Sequence, residues 1–426
     1  MGREVPAIIV SLQDRRRYRD KVRRCLDVLA RMLHESRFKE APQQVGLEVE
    51  FYLLDQAGQA AMRNDEVLAA IASPAWAPEL GKFNLEVALA PRPLADDALA
   101  GLERYLADSL AHGNAQAGTV GTRLAMIGTL PTLREPDVGR DSMSPNPRFR
   151  LLNEQVCEAR GEEMRICIEG PDRLLSYVDS IMPEAACTSI QLHLQVSPEA
   201  FGNYWNAAQA IAAVQVALGA NSPYLFGREL WRETRIPLFL QATDTRPDEL
   251  TVQGVRPRVW FGEQWITSVL DLFAENLRYF PALLPLCEDD DPVADLESGS
   301  TPELAELALH NGTVWRWNRP VYAVDDGEPH LRIENRVLPS GPTVTDVIAN
   351  AAFYYGLVQT LAEAERPIWA EMSFVTARTG ATWQVDTVHA LQEKGGMDRE
   401  AAMLAMTERY LALMHTGDPV HTWPVG

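Results

Sequence analysis

The sequence predicts an α+β protein in which strands and helices follow one another without a regular βαβ order. Short segments with an apolar residue at every second position, bounded by Gly and Pro, are typical of strands with one buried face. Longer segments with apolar residues three to four positions apart are typical of amphipathic helices. We find no internal repeat or low-complexity tract, so a repeat architecture is not indicated.

The apolar spacing predicts five helices, over residues 15–33, 96–115, 204–218, 262–278 and 345–364. Pro342 and Thr343 precede the last of them and are start signals. Residues 15–24 of the first helix carry seven Lys and Arg residues, which form either a solvated face or a surface for an acidic partner. Two long loops, the Pro-rich residues 129–149 and the acidic residues 287–303, suggest mobile surface segments or active-site lids.

The composition favours small-molecule ligands. The 426 residues, 46% of them hydrophobic, suffice for one large domain or two. The 59 acidic and 39 basic residues give a net charge of -20, which disfavours nucleic acid and anionic membranes as partners. We therefore predict no nucleic-acid partner and no membrane association, and a homo-oligomer is compatible with the sequence.

The cysteines and the N-terminus favour a cytoplasmic protein. The five cysteines are widely spaced and form no CxxC pair, so neither a disulfide framework nor a zinc site is indicated. The apolar run near the N-terminus is too short for a secretory signal, and the basic cluster follows it. No apolar span reaches the length of a membrane helix.

Four predicted strands have a polar face rich in functional groups. In residues 45–55, Glu48 and Glu50 alternate with apolar residues, which places both carboxylates on one face, roughly 6.6 Å apart along the strand. The same alternation gives three further strands the polar sets Asn84 and Glu86; Gln191, His193 and Gln195; and Arg332, Glu334 and Arg336.

This polar face suggests a metal site. A sheet with one side in water would show the same alternation, but its polar face would usually carry Thr, Ser and Lys. If the four strands share a sheet, their carboxylates repel one another unless a cation neutralises them. Oxygen ligands without thiolates select Mg²⁺ or Mn²⁺. Arg332 and Arg336 could then contact phosphoryl oxygens, which together indicate a phosphoryl-transfer centre.

Other catalytic motifs are missing from the sequence. No Walker A or GxGxxG sequence follows a strand, and there is no GxSxG element or persuasive Cys-His arrangement. His112 and His389 are interpreted as surface or packing residues.

The chain resembles the glutamate–cysteine ligase family, specifically the bacterial family-2 carboxylate–amine ligases. The resemblance rests on motifs that occur in the family's order within residues 45–361: GLEVEF, GKFNLEVAL, MIGTLPTL, CTSIQLHLQVS, LGANSPYLFGRELWRETRIPLF and RIENRVLPSGPTVTD. It implies a glutamine-synthetase-like catalytic fold, in which a curved, mainly antiparallel sheet with packed helices holds Mg²⁺ ions on its polar face. It also implies ATP-dependent amide formation.

The resemblance also implies roles for individual residues. The implied metal-site residues are Glu48, Glu50, Glu86, His193 and Glu334. Arg336 would face the ATP γ-phosphate, and Arg332 is predicted, from its place on the polar face, as a second contact to the nucleotide's phosphates. We predict that Arg336, Glu334 and Glu50 form the catalytic set. Many members have a second histidine where this chain has Gln195, so only His193 is carried over.

Two arginine-rich segments have alternative interpretations. Arg228, Arg232 and Arg235 either form surface ion pairs with Glu229 and Glu233 or, by the resemblance, bind the amino-acid carboxylate, with Arg235 as the first choice. In residues 310–322, Arg316 and Arg319 could meet nucleotide or substrate, whereas Trp315 and Trp317 are equally typical of core packing.

The expected function is ligation of the γ-carboxylate of L-glutamate to the amine of L-cysteine, driven by ATP with Mg²⁺ or Mn²⁺. An acyl phosphate would form first, and the amine would then displace phosphate. Two alternatives remain: the same chemistry with another amine, or a noncatalytic nucleotide- or metal-binding homologue. The predicted organisation is an N-terminal helical segment over residues 1–40, a catalytic domain over residues 41–372 and a helical tail over residues 373–426, with an amphipathic helix at 397–414.

Overall fold

The computed structural model describes residues 11–38, 43–95, 97–370 and 372–378. The strands are β1 Gln44–Leu54, β2 Trp76–Pro78, β3 Asn84–Pro93, β4 Arg123–Ala125, β5 Met164–Glu169, β6 Arg173–Val178, β7 Ile190–Gln195, β8 Tyr224–Leu225, β9 Arg228–Glu229, β10 Val259–Trp260, β11 Trp315–Arg316, β12 Asn318–Asp325 and β13 Glu328–Asn335. The helices are α1 Leu12–His34, α2 Asn64–Ile71, α3 Ala98–Thr119, α4 Pro147–Arg160, α5 Phe201–Gly219, α6 Arg235–Ala242, α7 Asp248–Val252, α8 Val269–Tyr279, α9 Pro292–Glu297, α10 Ala305–Asn311 and α11 Val344–Ala362.

A curled antiparallel sheet of seven strands organises the molecule. Its order is β12-β13-β7-β1-β3-β2, and the short β4 pairs with the end of β1. The four strands predicted to carry the polar face are therefore neighbours, in the order β13-β7-β1-β3. This arrangement confirms the predicted α+β class and the prediction that these strands form one sheet.

The apolar face of the sheet forms the main core. Leu47, Val49 and Phe51 on β1 are at most 1% exposed and pack in one cluster with residues of α1, α5, α8 and α11. Burial of aliphatic and aromatic side chains contributes about 1.5–3 kcal/mol each, so this face fixes the strand register. A slip by one residue would turn every carboxylate of the polar face into the core.

Four of the five predicted helices are confirmed within a few residues, as α1, α3, α5 and α11. The predicted helix at 262–278 is wrong at its start, because α8 begins only at Val269. Ser268 is extended and caps the helix in a capping box with Asp271. Before it, Gly262 has φ +120°, a backbone conformation that no helix contains.

The acidic loop after α8 is the partner of the basic first helix. Arg17 lies 3.6 Å from an Asp289 oxygen, and Lys21 binds Asp290 at 2.6 Å and the buried Glu306 at 2.9 Å. The loop predicted at 287–303 contains α9, and the one at 129–149 contains the short 3₁₀ helices Glu135–Val138 and Arg140–Ser142.

Lys21→Met is expected to destabilise the fold by about 3 kcal/mol, because it leaves the Glu306 carboxylate buried without its cation. Glu306 is 1% exposed and lies on α10, so the loss should be visible in urea denaturation. Arg24→Met on the exposed side of the same helix is the matched control, and equal stabilities of the two variants would contradict the assignment.

The predicted tail helix at 397–414 and His389 lie outside the described residues. Within residues 372–378, Phe374 packs edge-on against Trp265 with 5.0 Å between ring centroids. Of the helices that the structure describes, none is both long and apolar enough to cross a membrane.

Candidate active site

Three adjacent strands bring two carboxylates and an imidazole together on the polar face. Glu48 lies on β1, His193 on β7 and Glu334 on β13, and Glu334 is paired directly with His193 across the two strands. One ligand atom from each of the three residues lies within 4.8 Å of the others. This triad, Glu48, His193 and Glu334, has the donor types and the spacing of a metal site.

Two arginines hold Glu334 ionised. Arg319 on β12 binds its carboxylate with two nitrogens, at 2.5 and 2.9 Å, and Arg336 binds it at 2.9 Å. Burial opposes ionisation, but these guanidinium groups lower the pKa of Glu334 to about 2. Arg336 also donates to the Gln191 side chain, so it connects β7 with the end of β13.

Glu50 lies next along β1 and has a different environment. Its carboxylate accepts from the Ser189 backbone N–H at 2.6 Å and from the Gln191 amide at 3.0 Å. Burial and the charge of Glu79 nevertheless raise the pKa of Glu50 to about 7. The polar face is thus buried, with Glu50 8% exposed, and the interpretation of this face as one in contact with water is wrong.

The Glu86 carboxylate is buried among other carboxylates, which disfavour its ionised form. It lies opposite Glu50 in the β1–β3 register and is 5% exposed. Burial and the nearby carboxylates of Glu48 and Glu79 raise its pKa well above the usual range. Its Oε1 has no hydrogen-bond partner.

The residues present fit a divalent cation. Besides the Glu86 oxygen, His193 Nε2 has no hydrogen-bond partner of good geometry, although it lies 3.2 Å from a Glu48 oxygen. Because Arg332 donates to the other ring nitrogen, Nε2 carries the proton here, and it would bind a cation only once Arg332 has released Nδ1. Buried polar atoms without partners are costly, and converging carboxylates are costly as well. A cation bound between them would remove both costs.

Two acidic residues of this cluster were not predicted. Glu79 precedes β3 in a segment without regular structure, and Glu184 lies in the 3₁₀ helix Met182–Ala186. Burial and the charges of Glu79 and Glu50 raise the pKa of Glu184 to about 8. Neither residue belongs to an alternating segment, so the pattern that identified the other carboxylates could not find them.

Without a divalent cation, we expect the protein to lose stability as the pH rises from about 6.5 to about 8. Glu50 and Glu184, with folded-state pKa values of about 7 and 8, are both ionised above about pH 5 when unfolded. The folded state therefore binds more protons in this interval, and these two groups alone should lower the free energy of unfolding by about 2.4 kcal/mol.

Urea denaturation in EDTA at both ends of the interval measures this slope. The double variant Glu50→Gln/Glu184→Gln should have a flatter profile, because it lacks both titrating groups. If the free energy of unfolding of the wild type depends on pH as weakly as that of the variant, burial does not keep Glu50 and Glu184 protonated in the folded state.

The other predicted site residues have varied surroundings. Arg332 donates to His193 Nδ1 at 3.1 Å and therefore lies beside the triad. Arg235 is 3% exposed and binds Glu233 at 2.9 Å, and its charge acts on Glu50. Arg228 pairs with Glu135 at 3.0 Å and Arg232 with Glu229 at 3.7 Å, so these two arginines have ion-pair partners outside the triad.

Arg316 and Arg319 differ in location although they are close in sequence. Arg319 contacts Glu334 at the triad, as described above. Arg316 is 1% exposed and binds Glu275 at 2.5 Å within the core. Trp315 and Trp317 both pack edge-on against Phe239, with centroids 6.1 and 6.0 Å apart, which supports the packing interpretation.

Carboxylates, an imidazole and guanidinium groups are buried together on one face of an antiparallel sheet. Such a cluster of buried ionisable groups is typical of the active site of an enzyme that binds charged substrates. The sequence matches the family model described as glutamate-cysteine ligase family 2 over residues 44–419. The match covers most of the chain, so the protein is a carboxylate–amine ligase, and it belongs to this family. The family that the motifs indicated is confirmed, and the match extends into the tail, where no motif was found.

No curated protein matches the sequence. Among solved structures, the chain is similar to a glutamate–cysteine ligase from Francisella tularensis in complex with AMP, with a TM-score of 0.47 and 12% identity over 88% of this chain and 81% of that one. It is also similar to a bifunctional glutathione synthetase from Pasteurella multocida, with a TM-score of 0.44 and 11% identity over 92% of this chain. The chain spans half the length of that second protein.

Proposed function

We propose that this ligase uses ATP and Mg²⁺, or Mn²⁺ in its place, to join the γ-carboxylate of L-glutamate to the amine of L-cysteine. The products would be γ-glutamylcysteine, ADP and phosphate. The observation that carries the proposal is the triad of Glu48, His193 and Glu334, with its ligand atoms within 4.8 Å and two arginines bound to Glu334.

Glu48, Glu50, Glu86, His193 and Glu334 are the residues that would hold the metal. The cation would supply charge neutralisation for the transferred phosphoryl group. The chain itself contributes an oriented carboxylate, because the Ser189 N–H and the Gln191 amide both donate to Glu50 and hold it in place. Fixed donors and charges cost no reorganisation during the reaction.

Arg336 is proposed to stabilise negative charge on the γ-phosphoryl group as it moves to the glutamate carboxylate. Its guanidinium is already oriented by Glu334 and Gln191, and its Nε is buried without a partner. Arg332, beside His193, is proposed as a second phosphate contact. Planar guanidinium groups match phosphate oxygens in pairs.

The acyl phosphate formed on glutamate carries the activated carbonyl. The acceptor amine attacks that carbon, the carbon–oxygen bond to phosphate breaks, and the amine loses a proton. Arg235 is proposed to bind the α-carboxylate of glutamate, although it would have to share its charge with Glu233. Burial of the polar face limits hydrolysis of the acyl phosphate by water.

ADP release by the purified protein with ATP, Mg²⁺ and glutamate, with each of a panel of amines, tests this function. A cysteine-dependent rate with γ-glutamylcysteine detected by mass spectrometry is the expected result. Turnover with a different amine would keep the chemistry and replace cysteine. A protein that releases no ADP with any amine would contradict the proposed reaction.

A further inference from the structure

A cavity of about 340 Å³ lies between α1 and the end of α8. Its walls are formed by one side of α1, by residues 277–282 and by the ring of His310 on α10. A volume of this size falls within the range of pockets that hold small organic ligands.

The cavity is strongly basic in an acidic protein. Four arginines line it, Arg15, Arg19, Arg23 and Arg278, and none of the described residues that line it is acidic. Outside the lining, Glu158 lies 3.8 Å from Arg15 and Asp20 lies 3.8 Å from Arg23. Within the part of the chain that the structure describes, Arg19 and Arg278 form no ion pair. Guanidinium groups without carboxylates are therefore available to an anion.

The floor of the cavity is apolar and aromatic. Tyr18, Val22 and Phe280 are buried there, and Pro281 and Leu277 complete the surface. The Tyr18 hydroxyl is already used, since it donates to the Glu306 carbonyl at 2.9 Å. The floor therefore offers an apolar ring a surface to pack against. The Tyr18 hydroxyl is not available to donate a hydrogen bond to a ligand.

One of the residues that line this cavity has a buried polar atom without a partner. His310 is 4% exposed, and its Nε2 lies 3.0 Å from the Phe280 carbonyl, which fixes the proton on Nε2. The Nδ1 is then an acceptor, and it is buried without a hydrogen bond. A ligand that donates an O–H or N–H to this atom would satisfy it.

The cavity is separate from the candidate active site. The α1 residue Val22 that lines it belongs to the core on the apolar face of the sheet, whereas the triad is on the polar face. The C-terminal end of α8 slightly disfavours an anion, but the full charges of Arg19 and Arg278, which form no ion pair among the described residues, outweigh that partial charge.

We propose that this cavity binds a small phosphate ester that carries an apolar ring and an O–H or N–H donor. The arginines would bind the phosphate, the floor residues would contact the ring, and His310 Nδ1 would accept from the donor. Such a site is distinct from substrate binding and does not depend on the ligase reaction proposed above.

Binding of 4-aminophenyl phosphate to the full-length protein in EDTA, measured by calorimetry, tests the proposal. Arg19→Gln/Arg278→Gln should weaken binding roughly tenfold or more, because it removes the two unpaired guanidinium groups. Arg16→Gln/Arg24→Gln makes the same change in charge on exposed positions of α1 outside the cavity, and should leave the affinity within about twofold.

Two comparison probes test the remaining contacts. Phenyl phosphate lacks the donor and should bind about threefold to tenfold more weakly, and inorganic phosphate should bind more weakly still. The proposal is overturned if 4-aminophenyl phosphate does not saturate the protein or if both double variants lose affinity equally. It is also overturned if inorganic phosphate binds as tightly as the ester. The single variant Arg19→Gln repeats the test if the double variant is unstable.

Discussion

Replacing Glu334 with glutamine is expected to reduce ATP-dependent turnover by about a thousandfold, because it removes charge worth several kcal/mol in the transition state. Glu334 contributes an oxygen to the triad and is the anchor for Arg319 and Arg336. The change therefore affects both the proposed metal ligands and the orientation of the arginine proposed to contact phosphate. ADP release at saturating ATP and glutamate measures the effect.

The variant also leaves two arginines without their carboxylate, so its fold must be checked by thermal unfolding. Glu86→Gln is a complementary variant, since the folded protein without metal already favours the neutral form of Glu86. We expect it to fold at least as well as the wild type and still to lose activity and metal affinity. Glu328→Gln, at the exposed start of the same strand β13, is the control that should retain activity.

Full turnover by well-folded Glu334→Gln and Glu86→Gln proteins would show that the triad is not the catalytic metal site. Direct titration with Mn²⁺ separates the two parts of the prediction. Activity lost together with Mn²⁺ binding supports a ligand role, whereas activity retained without Mn²⁺ binding would remove the metal from the proposed reaction.

Arg336→Ala is expected to lower kcat by about 10²–10³ while the KM for the acceptor amine stays within about twofold. We expect a lower kcat with an unchanged KM for the amine because of the position of Arg336, which binds Glu334 and Gln191 on the polar face. Glu334 remains paired with Arg319 in this variant, so the buried carboxylate keeps a cation and the fold should persist.

Arg336→Lys keeps the charge but loses the planar fork, so partial recovery of kcat is expected. Arg104→Ala, on the exposed face of α3 where the side chain pairs with Asp97, serves as a comparison with little effect on kcat. An Arg336→Ala defect confined to the KM of the amine would assign this residue to acceptor binding and overturn its role at the phosphate.

The central sheet could be predicted because period-two alternation reports directly on a strand with two different faces. Glu48, His193 and Glu334 were found in this way, as side chains on the polar faces of separate strands. The order of the strands could not be read from the pattern, because pairing such as that of β1 with β7 joins distant parts of the chain. The resemblance to the ligase family was the reason to expect these strands in one sheet.

Three features escaped prediction, each for a different physical reason. Glu79 and Glu184 lie in irregular or 3₁₀ segments, where no periodicity marks which side chains point inward. The start of α8 was placed too early because the extended residues before Ser268 happen to have helical apolar spacing. The partner of the basic helix could not be identified either, since Asp290 lies 269 residues from Lys21.

The topology of the sheet determines how late in synthesis and folding the candidate site can form. The contacts that assemble the polar face are between segments far apart in the chain: Glu50 and Gln191 are separated by 141 residues, and His193 and Arg332 by 139. Such pairings form slowly, since the loops between them must close first. Only a fragment that includes β1, β7 and β13 pairs all three strands of the triad. A nascent chain can therefore assemble the triad only after β13 has been synthesised and paired, and if the triad binds metal as proposed, metal uptake would report completion of folding.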